Sequence, residues 1–280
     1  MTPPLISVII PVRDDMERLE LALEALARQS YPSFEVIVVD NGSAQDVAAQ
    51  IGSRPGVRVV QEPVPGSYAA RNRGVTVAAG NVFAFTDSDC IPDAEWLGQG
   101  AEAMERHPNS IAAGRIEVFV RDERSPTSVE LYEKLFAFPQ KRYVEEFHFG
   151  ATANLFVPRS VFEETGGFRA ALQSGGDSEF CQRAARRGTP VLYWPAAVVR
   201  HPARYDWDEL HRKIRRLAKG RLQREALKVS GPKRPPDVAE AVRRVVRLWT
   251  DRDLSFRQKL GVQVVFVRFH FALLRARWTS

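Results

Sequence analysis

The apolar run Val82–Phe85 ends abruptly at two carboxylates, Asp87 and Asp89, and no other feature constrains the fold of this chain as much. A short apolar run bounded by turn residues predicts a buried strand. Open α/β sheets bind ligands beyond the C-terminal ends of their strands. Alternate residues of an extended chain face the same way, so both carboxylates can converge on one cation such as Mg²⁺ or Mn²⁺. A plain aspartate-rich turn is the alternative interpretation.

Strand patterns alternate with helix patterns over the first ninety residues, which predicts an α/β fold with a mainly parallel, Rossmann-like sheet. Three more strands are predicted at Leu5–Val12, Glu35–Asp40 and Val57–Val60. Helices are expected after Asp14–Asp15, from near Ala44 and over 67–79. The GxGxxG pattern of dinucleotide-binding proteins is absent.

The following hundred residues continue the α/β pattern with less regularity. The predicted elements are a helix over 96–107, an extended segment over 111–120, a helix plus a mobile loop over 122–143, short helices after Ser160 and Gly175, and a last strand over 191–199, interrupted by Pro195, that delivers His201.

Charge divides the chain into a mildly acidic body and a basic tail. Residues 205–280 hold 19 Lys/Arg against 8 Asp/Glu, whereas residues 1–204 hold 21 against 26. A basic tail favours an anionic partner, either a membrane surface or nucleic acid. The tail lacks a recognisable nucleic-acid module, so nucleic acid is the less favoured partner. The predicted domains are 1–204 and the helical extension 205–280.

Within the extension, a Pro- and Gly-containing segment at 231–236 predicts a hinge. The run 262–274 is too short to span a bilayer but can lie in its interface, with a set of arginines and a tryptophan at headgroup level. This set is Arg268, Arg275, Arg277 and Trp278. Packing of the same helices on the body of the chain, residues 1–204, is an equally supported alternative.

The two cysteines, Cys90 and Cys181, form no disulfide framework or metal-ligand spacing, so both are interpreted as small buried hydrophobes. The N-terminal residues do not predict a signal peptide, and no apolar run reaches the length of a spanning helix. The expected location is the cytoplasm, with peripheral contact at the inner face of the membrane if the extension docks there.

Motifs in a fixed order extend this picture. They are SVIIPVRDD (Ser7–Asp15), VVDNGS (Val38–Ser43), GSYAARNRG (Gly66–Gly74), FTDSDC (Phe85–Cys90), GATANLFVPRSVFEETGGF (Gly150–Phe168), GGDSEFCQRAARRG (Gly175–Gly188) and the late His201. Together they resemble the GT-A-fold glycosyltransferases of family 2, which use nucleotide-diphosphate sugars. The resemblance covers residues 5 to about 202. It implies a nucleotide-sugar-binding half at 1–95 and an acceptor half at 96–204.

The resemblance also implies residue roles on the donor side. Pro11 and Arg13 are expected in the wall of the nucleotide pocket, and Asp40 is expected to bind the base or ribose. Arg71 and Asn72 are expected to face the nucleotide sugar, where a guanidinium suits a diphosphate. A helix cap is the alternative for Asp40, and a solvated helix face is the alternative for the arginine.

Asp87, Ser88 and Asp89 match the DXD motif of the family, in which a divalent metal, Mn²⁺ or Mg²⁺, bridges the diphosphate. A cation there is placed to stabilise the negative charge that builds on the leaving nucleotide. His201 matches a histidine that completes the metal coordination in some relatives. A structural histidine is the alternative.

Asp177 is the candidate general base. The usual Glu-Asp pair of the family appears here as Gly176-Asp177, which leaves the acceptor-site geometry open. A carboxylate in the first turn of a helix is biased toward weak basicity, and an N-cap is the alternative role. Four further residues are expected to line the acceptor or donor-sugar side: Trp96, Asn154, Arg169 and Glu179.

The resemblance implies transfer of a sugar to an acceptor hydroxyl with inversion, in polysaccharide, glycolipid or other glycoconjugate synthesis. A nucleotidyltransferase is a second hypothesis, but the glycine-rich loop expected after its first strand is replaced here by Pro11–Asp15. A non-catalytic nucleotide-sugar-binding protein is a third hypothesis. The presence of Asp87, Asp89 and Asp177 argues for catalysis and against this hypothesis.

Overall fold

A computed structural model of the chain describes residues 3–227 and 238–275, with the side chain of Val238 excepted. The predicted hinge at 231–236, together with Arg277 and Trp278, lies outside these described residues.

The described residues contain eight strands that form one sheet. They are β1 (Ile6–Val12), β2 (Phe34–Asp40), β3 (Val57–Gln61), β4 (Val82–Phe85), β5 (Ile91–Pro92), β6 (Ile111–Phe119), β7 (Leu155–Pro158) and β8 (Val191–Pro202). Their order is β3-β2-β1-β4-β7-β6-β8-β5. The first four are parallel, whereas β7 is antiparallel to β4 and β6, and β5 is antiparallel to β8. The α/β prediction is confirmed, with a mixed sheet.

Eleven helices occur in the same described part of the chain. They are α1 (Met16–Ala27), α2 (Val47–Ile51), α3 (Ser67–Val77), α4 (Trp96–Arg106), α5 (Ser128–Phe136), α6 (Gln140–Phe147), α7 (Arg159–Thr165), α8 (Gly176–Arg186), α9 (Trp207–Ala226), α10 (Val238–Thr250) and α11 (Phe256–Arg275).

Strand register explains why the polar motifs meet. Val12 at the end of β1 pairs with Asp40 at the end of β2, and Ile9 of β1 pairs with Phe85 at the end of β4. The three strands are parallel, so the residues that follow them emerge at one edge of the sheet. This edge is where open α/β sheets place their ligands.

An aromatic cluster beside β4 and β7 holds this edge in place. Phe83 and Phe85 of β4 pack against Phe162, Phe168 and Phe180, with ring centroids 4.8 to 6.3 Å apart. All five side chains are buried. Burial of a phenylalanine contributes about 1.5–3 kcal/mol, so the cluster fixes the end of β4 firmly.

The chain divides into two compact units. The first comprises Met1–Glu117 and Pro139–His201, and the second comprises Val118–Phe138 and Pro202–Ser280. The second unit thus includes Val118–Phe138, which lies within the predicted domain 1–204.

In the second unit, α5, α9, α10 and α11 share an apolar core that includes Tyr132, Leu210, Leu248 and Phe266. A buried ionic centre lies on α5, where Glu133 pairs with Arg204 and, at 2.6 Å, with Lys213. Burial opposes ionisation of Glu133, but the two cations outweigh it and hold its pKa at about 2. Burial also lowers the pKa of Lys213 to about 8, although Glu133 beside it opposes this.

The structure corrects three sequence predictions. The helix expected from near Ala44 begins at Val47, because the side chain of Asp46 caps it by accepting from Ala49 N at 3.0 Å. The predicted helix plus loop over 122–143 contains α5 and the start of α6. The last strand is not interrupted at the exposed Pro195 but runs from Val191 to Pro202, and its residues Val199 and Arg200 pair with β5.

The described residues contain no helix long and apolar enough to cross a membrane.

Candidate active site

The acidic turn after β4 is fixed by backbone and core contacts. The Thr86 hydroxyl, fully buried, donates to Ala153 O at 3.0 Å. The Cys90 N–H donates to Asp87 O at 3.1 Å and closes the turn. Asp87 and Asp89 remain partly exposed, with 33% and 22% of their side chains accessible. The turn therefore presents two carboxylates at the edge of the sheet.

His201 joins these carboxylates from β8. Asp87, Asp89, Cys90 and His201 each offer one ligand atom, and these atoms all lie within 4.8 Å of one another. His201 Nε2 lies 3.5 Å from Asp89 Oδ2 and its side chain is buried. Pairing of Ile91 with the residue before His201 brings β8 to this point. Two carboxylates and an imidazole suit Mn²⁺ or Mg²⁺, so the donor set fits a divalent cation.

Cys90 belongs to the cluster by distance but not by chemistry. Burial raises the pKa of its thiol well above the usual value, and Asp89 and Asp87 raise it further. A soft sulfur ligand suits metals such as Zn²⁺, whereas Mn²⁺ and Mg²⁺ prefer oxygen ligands. Cys90 therefore acts as a small buried hydrophobe, in agreement with its sequence interpretation.

Asp15 supports the acidic turn from the start of α1. Ser88 Oγ donates to Asp15 Oδ2 at 3.0 Å, and Arg18 Nε donates to Asp15 Oδ1 at 2.7 Å. Arg18 Nη1 also lies 3.9 Å from Asp89 Oδ2. Burial raises the pKa of Asp15, although Arg18 opposes this. Sequence reasoning missed this role of Asp15, because it depends on contacts over 73 residues of chain.

Arg71 is a residue of α3 that contacts the acidic turn after β4, and 3% of its side chain is exposed. Its Nη2 pairs with Asp87, and its Nη1 donates to Ser67 O at 3.3 Å. Its Nε is buried and has no hydrogen-bond partner in the described structure. Because buried donors are almost always satisfied, this atom points to an acceptor supplied from outside the chain. An oxygen of an anionic ligand fits that position.

Asp177 lies in the first turn of α8 and contacts α3. Gly175, at φ +77°, is the N-cap, so Asp177 is not the cap of this helix. The Tyr68 hydroxyl donates to Asp177 Oδ1 at 3.1 Å, and Ser178 N donates to the same oxygen at 2.8 Å. Both hydrogen bonds therefore fall on one oxygen, Oδ1, of the Asp177 carboxylate.

At position 176, directly before Asp177, the Tyr68 ring leaves no room for a side chain. A Cβ at this position would lie 2.7 Å from the ring of Tyr68, which is closer than carbon atoms approach. The Tyr68 ring also lies 5.6 Å from the Arg71 guanidinium. Tyr68 thus connects Asp177 to the Arg71–Asp87 pair. Sequence reasoning missed Tyr68, although its spacing of one helical turn from Arg71 was a readable signal.

Asp40 and Asn41, at the end of β2, lie beside the loop between β3 and α3. Asp40 is buried at the end of β2, and its Oδ1 accepts from Ser43 N at 2.9 Å. Asn41 donates to Glu62 O and Val64 O, each at 2.8 Å, and accepts from Gly66 N at 2.7 Å. Asn41 therefore fixes the loop before α3, and α3 is the helix that carries Tyr68 and Arg71.

Pro11 and Arg13 lie on either side of the end of β1. Pro11 pairs with Val39 in the parallel register, one residue before Asp40. The Arg13 side chain is 61% exposed, and its Nε lies 3.7 Å from Asp14 Oδ2. Both residues flank the edge at which the acidic turn emerges, and their contact with a nucleotide stays a prediction.

Asn72 is engaged by the protein backbone. Its Nδ2 donates to Phe168 O at 2.8 Å, and its Oδ1 accepts from Phe168 N at 3.0 Å. The amide thus fixes the segment between α7 and α8. Its predicted contact with the nucleotide sugar stays a prediction.

Two residues expected to line the site lie instead in the core. Trp96 and Asn154 are fully buried and bonded to each other, with Trp96 Nε1 donating to Asn154 Oδ1 at 2.9 Å. Asn154 also donates to Arg115 O and Ala197 O. The expectation that they contact a ligand is wrong, because both are enclosed by the sheet and α4.

Glu179 and Arg169 form an ion pair at the base of α8. Glu179 is 1% exposed and accepts from Arg169 Nε at 3.0 Å and from Arg183 at 2.9 Å. Burial opposes ionisation of Glu179, but these arginines outweigh it and lower its pKa. Arg183 also donates to Gly167 O at 2.7 Å. Glu179 is thus a positioning group for α8.

The sequence is similar to a known family and to known proteins over most of its length. The family model described as glycosyl transferase family 2 matches residues 7–174, which is more than half of the chain. The chain is 34% identical over 230 residues to glycosyltransferase AglE of Haloferax volcanii, with 79% of this chain and 74% of that protein covered. It is 29% identical over 216 residues to the pre-mycofactocin glycosyltransferase of Mycobacterium tuberculosis, with 72% and 44% covered.

Solved structures share the fold. The mannosyltransferase PcManGT from Pyrobaculum calidifontis, in complex with GDP-Man and Mn²⁺, matches with a TM-score of 0.61 at 18% identity, over 100% of this chain and 77% of that one. S. aureus TarS in complex with UDP matches with a TM-score of 0.56 at 18% identity, over 95% and 72%. The predicted GT-A fold is confirmed.

Proposed function

The chain belongs to glycosyl transferase family 2 and takes its sugar from a nucleotide sugar, and on that premise we propose a metal-dependent transfer to an acceptor hydroxyl with inversion. One observation carries the proposal: Asp87, Asp89 and His201 converge within 4.8 Å at the end of a central strand. The fold neighbours bound to GDP-Man with Mn²⁺ and to UDP support a nucleotide-diphosphate donor.

The donor lies along the C-terminal edge of the parallel strands in this proposal. Asp87, Asp89 and His201 hold Mn²⁺ or Mg²⁺, which when bound offsets the charge of the leaving diphosphate. Arg71 donates to a diphosphate oxygen through its buried, unpartnered Nε. Asp40 accepts hydrogen bonds from the base or ribose, with Pro11 and Arg13 beside it. Ser88 and Asn72 complete the donor side.

Asp177 is the general base in this account. Tyr68 and Ser178 hold one carboxylate oxygen, so the other is free to accept the acceptor hydroxyl proton as the oxygen attacks the anomeric carbon. The bond to the nucleotide diphosphate breaks on the opposite face, and the leaving oxygen keeps the electron pair. The acceptor is a hydroxyl of a glycan, a glycolipid or another glycoconjugate.

Metal-dependent turnover tests the proposal directly. The full chain is incubated with a panel of nucleotide sugars and Mn²⁺, Mg²⁺ or EDTA, and release of nucleoside diphosphate is measured. We expect slow release from one donor that stops with EDTA and in Asp89→Ala. Asp208→Ala, an exposed aspartate on α9, is the matched control and should behave as wild type.

Three outcomes would contradict the proposal. Release that is unchanged by EDTA and by Asp89→Ala would remove the metal from the mechanism. Binding of donors without any turnover in the presence of acceptor-containing membrane or glycan extracts would favour a binding protein. Pyrophosphate release from a nucleoside triphosphate and a sugar phosphate would favour a nucleotidyltransferase.

A further inference from the structure

Helix α11 has apolar side chains on two opposite faces. The inward face, with Val262, Val265, Phe266 and Phe269, is buried in the core of the second unit. The outward face carries six apolar side chains that are 45 to 68% exposed: Phe256, Leu260, Val264, Val267, Phe271 and Leu274. Their spacing of four, four, three, four and three residues places them on one side of a helix with 3.6 residues per turn.

Helix α10 extends this surface. Val242 and Val246 are 55% and 54% exposed, and Trp249, one turn further, is 38% exposed. The Trp249 ring lies 5.9 Å from the ring of Phe256, so the exposed side chains of α10 and α11 meet. We call these nine residues the apolar strip. Single exposed apolar residues are ordinary, whereas a continuous strip along two helices marks an interaction surface.

Exposed arginines flank the apolar strip. Arg257, Arg268 and Arg275 fall within about 20° of one another around α11, next to the strip. Arg243 and Arg247 lie on the corresponding flank of α10. Residues 238–275 contain eight Lys/Arg and three Asp/Glu, and α11 contains no acidic residue. The surface is therefore apolar along its centre and cationic along its flank.

We propose that the apolar strip docks the protein on an anionic lipid surface, with its side chains at the boundary of acyl chains and headgroups. Amphipathic helices that lie in the membrane interface combine an apolar face with flanking arginines that bind headgroup phosphates. Trp249 adds a partly exposed indole to the strip, and tryptophan is a residue type that such interfaces favour. The sugar-transfer proposal is not needed for this inference.

Charge favours a lipid surface over a second copy of the chain. If two copies paired through their strips, arginine rows of the same sign would approach each other, and α11 supplies no carboxylate to neutralise them. Juxtaposed like charges oppose association. Anionic headgroups remove this cost, because their phosphates attract the exposed arginines along the flank.

Vesicle flotation of the full chain tests the proposal. Vesicles of phosphatidylcholine alone are compared with vesicles that also contain phosphatidylglycerol, at low and high ionic strength. We expect flotation with the anionic vesicles and weaker flotation at high salt. Val267→Asp combined with Phe271→Asp should abolish it. Arg257→Gln combined with Arg275→Gln should weaken the apparent partition on the order of tenfold.

Matched substitutions on the first unit are the controls. Leu21→Asp changes a 47% exposed leucine on α1, and Arg28→Gln with Arg58→Gln removes two exposed arginines, so both should float as wild type does. Failure of wild type to float, or equal flotation of either strip variant, would overturn the proposal. A dimer by light scattering that Val267→Asp with Phe271→Asp dissociates, without flotation, would assign the strip to a second copy. If the aspartate variant misfolds by circular dichroism, the arginine pair decides.

Discussion

At the scale of residues, Tyr68 is the least expected member of the site. It is 5% exposed, its hydroxyl holds Asp177, and its ring occupies the space in which a side chain at position 176 would lie. The loss of the usual acid at Gly176 and the presence of Tyr68 are therefore physically coupled. Sequence motifs identified Asp177 but could not show this coupling, because Tyr68 and Asp177 are 109 residues apart in the chain.

Tyr68→Phe should lower kcat about tenfold, because a hydrogen bond to a charged carboxylate contributes about 1.5–3 kcal/mol. The KM for the nucleotide sugar should stay close to that of wild type, since the ring and its contact with Arg71 are kept. Steady-state kinetics with saturating metal measures both constants. Tyr31→Phe is the control, because it removes an exposed hydroxyl that donates to Pro4 O. An unchanged kcat in Tyr68→Phe would contradict the positioning role.

Gly176→Ala should destabilise the protein by about 1–3 kcal/mol, because its new methyl group collides with the Tyr68 ring. Combination with Tyr68→Ala should recover part of this loss, and a double-mutant cycle by urea unfolding measures the coupling. Gly98→Ala in α4 is the control, since nothing lies closer than 3.8 Å to the added carbon. That change should be neutral or stabilising by up to about 1 kcal/mol. Additive effects in the cycle would show that the collision is not the cause.

At the scale of elements, the buried strands and the short helix α7 were predictable, whereas the segment that contains α5 was not predicted in detail. Runs of apolar residues in β1, β2 and β4 are buried on both faces, so their sequence shows them directly. Helix α5 was predicted only loosely, although the capping box of Thr127 and Glu130 is present in the sequence. Strand β8 continues past Pro195 and lies between β6 and β5 in the sheet, and a local sequence pattern carries no information on such neighbours.

Stability of the second unit should fall between about pH 4.5 and pH 2 because of Glu133. Its folded pKa of about 2 lies below the ordinary value of 4.5, so its contribution is complete above pH 4.5 and is lost as the pH falls through 2. The loss corresponds to about 3 kcal/mol. Lys213 is charged throughout this range, since its pKa is about 8. Urea unfolding at a series of pH values measures the change.

Glu133→Gln should remove this pH dependence and lower stability at neutral pH by about 3–5 kcal/mol, because Arg204 and Lys213 lose their buried partner. Glu123→Gln is the control, since this carboxylate is 67% exposed and pairs only with Lys134 among the contacts described. Its effect should stay within about 0.5 kcal/mol. An acid slope that persists in Glu133→Gln would assign the dependence to other carboxylates.

At the scale of the whole molecule, the candidate site is assembled from segments that are distant in sequence. Asp40 ends β2, Asp87 and Asp89 follow β4, and His201 is the last residue but one of β8, yet sheet order and register bring these strands into one sheet. The motifs indicated these residues as candidates, since carboxylates at strand ends are visible in the sequence. The supporting contacts of Asp15, Asn41 and Tyr68 depend on the folded arrangement and were visible only in the structure.

Mn²⁺ binding is the most direct test of the proposed metal site, because the mechanism requires Asp87, Asp89 and His201 to share one cation. Titration of the full chain with Mn²⁺ in the presence of a nucleoside diphosphate, followed by electron paramagnetic resonance, counts the bound ions and gives their affinity. We predict one site in wild type, weakened at least about tenfold in Asp89→Ala and in His201→Ala, and retained in Cys90→Ala. Equal Mn²⁺ affinity in Asp89→Ala and wild type, or loss of the site in Cys90→Ala alone, would contradict the account.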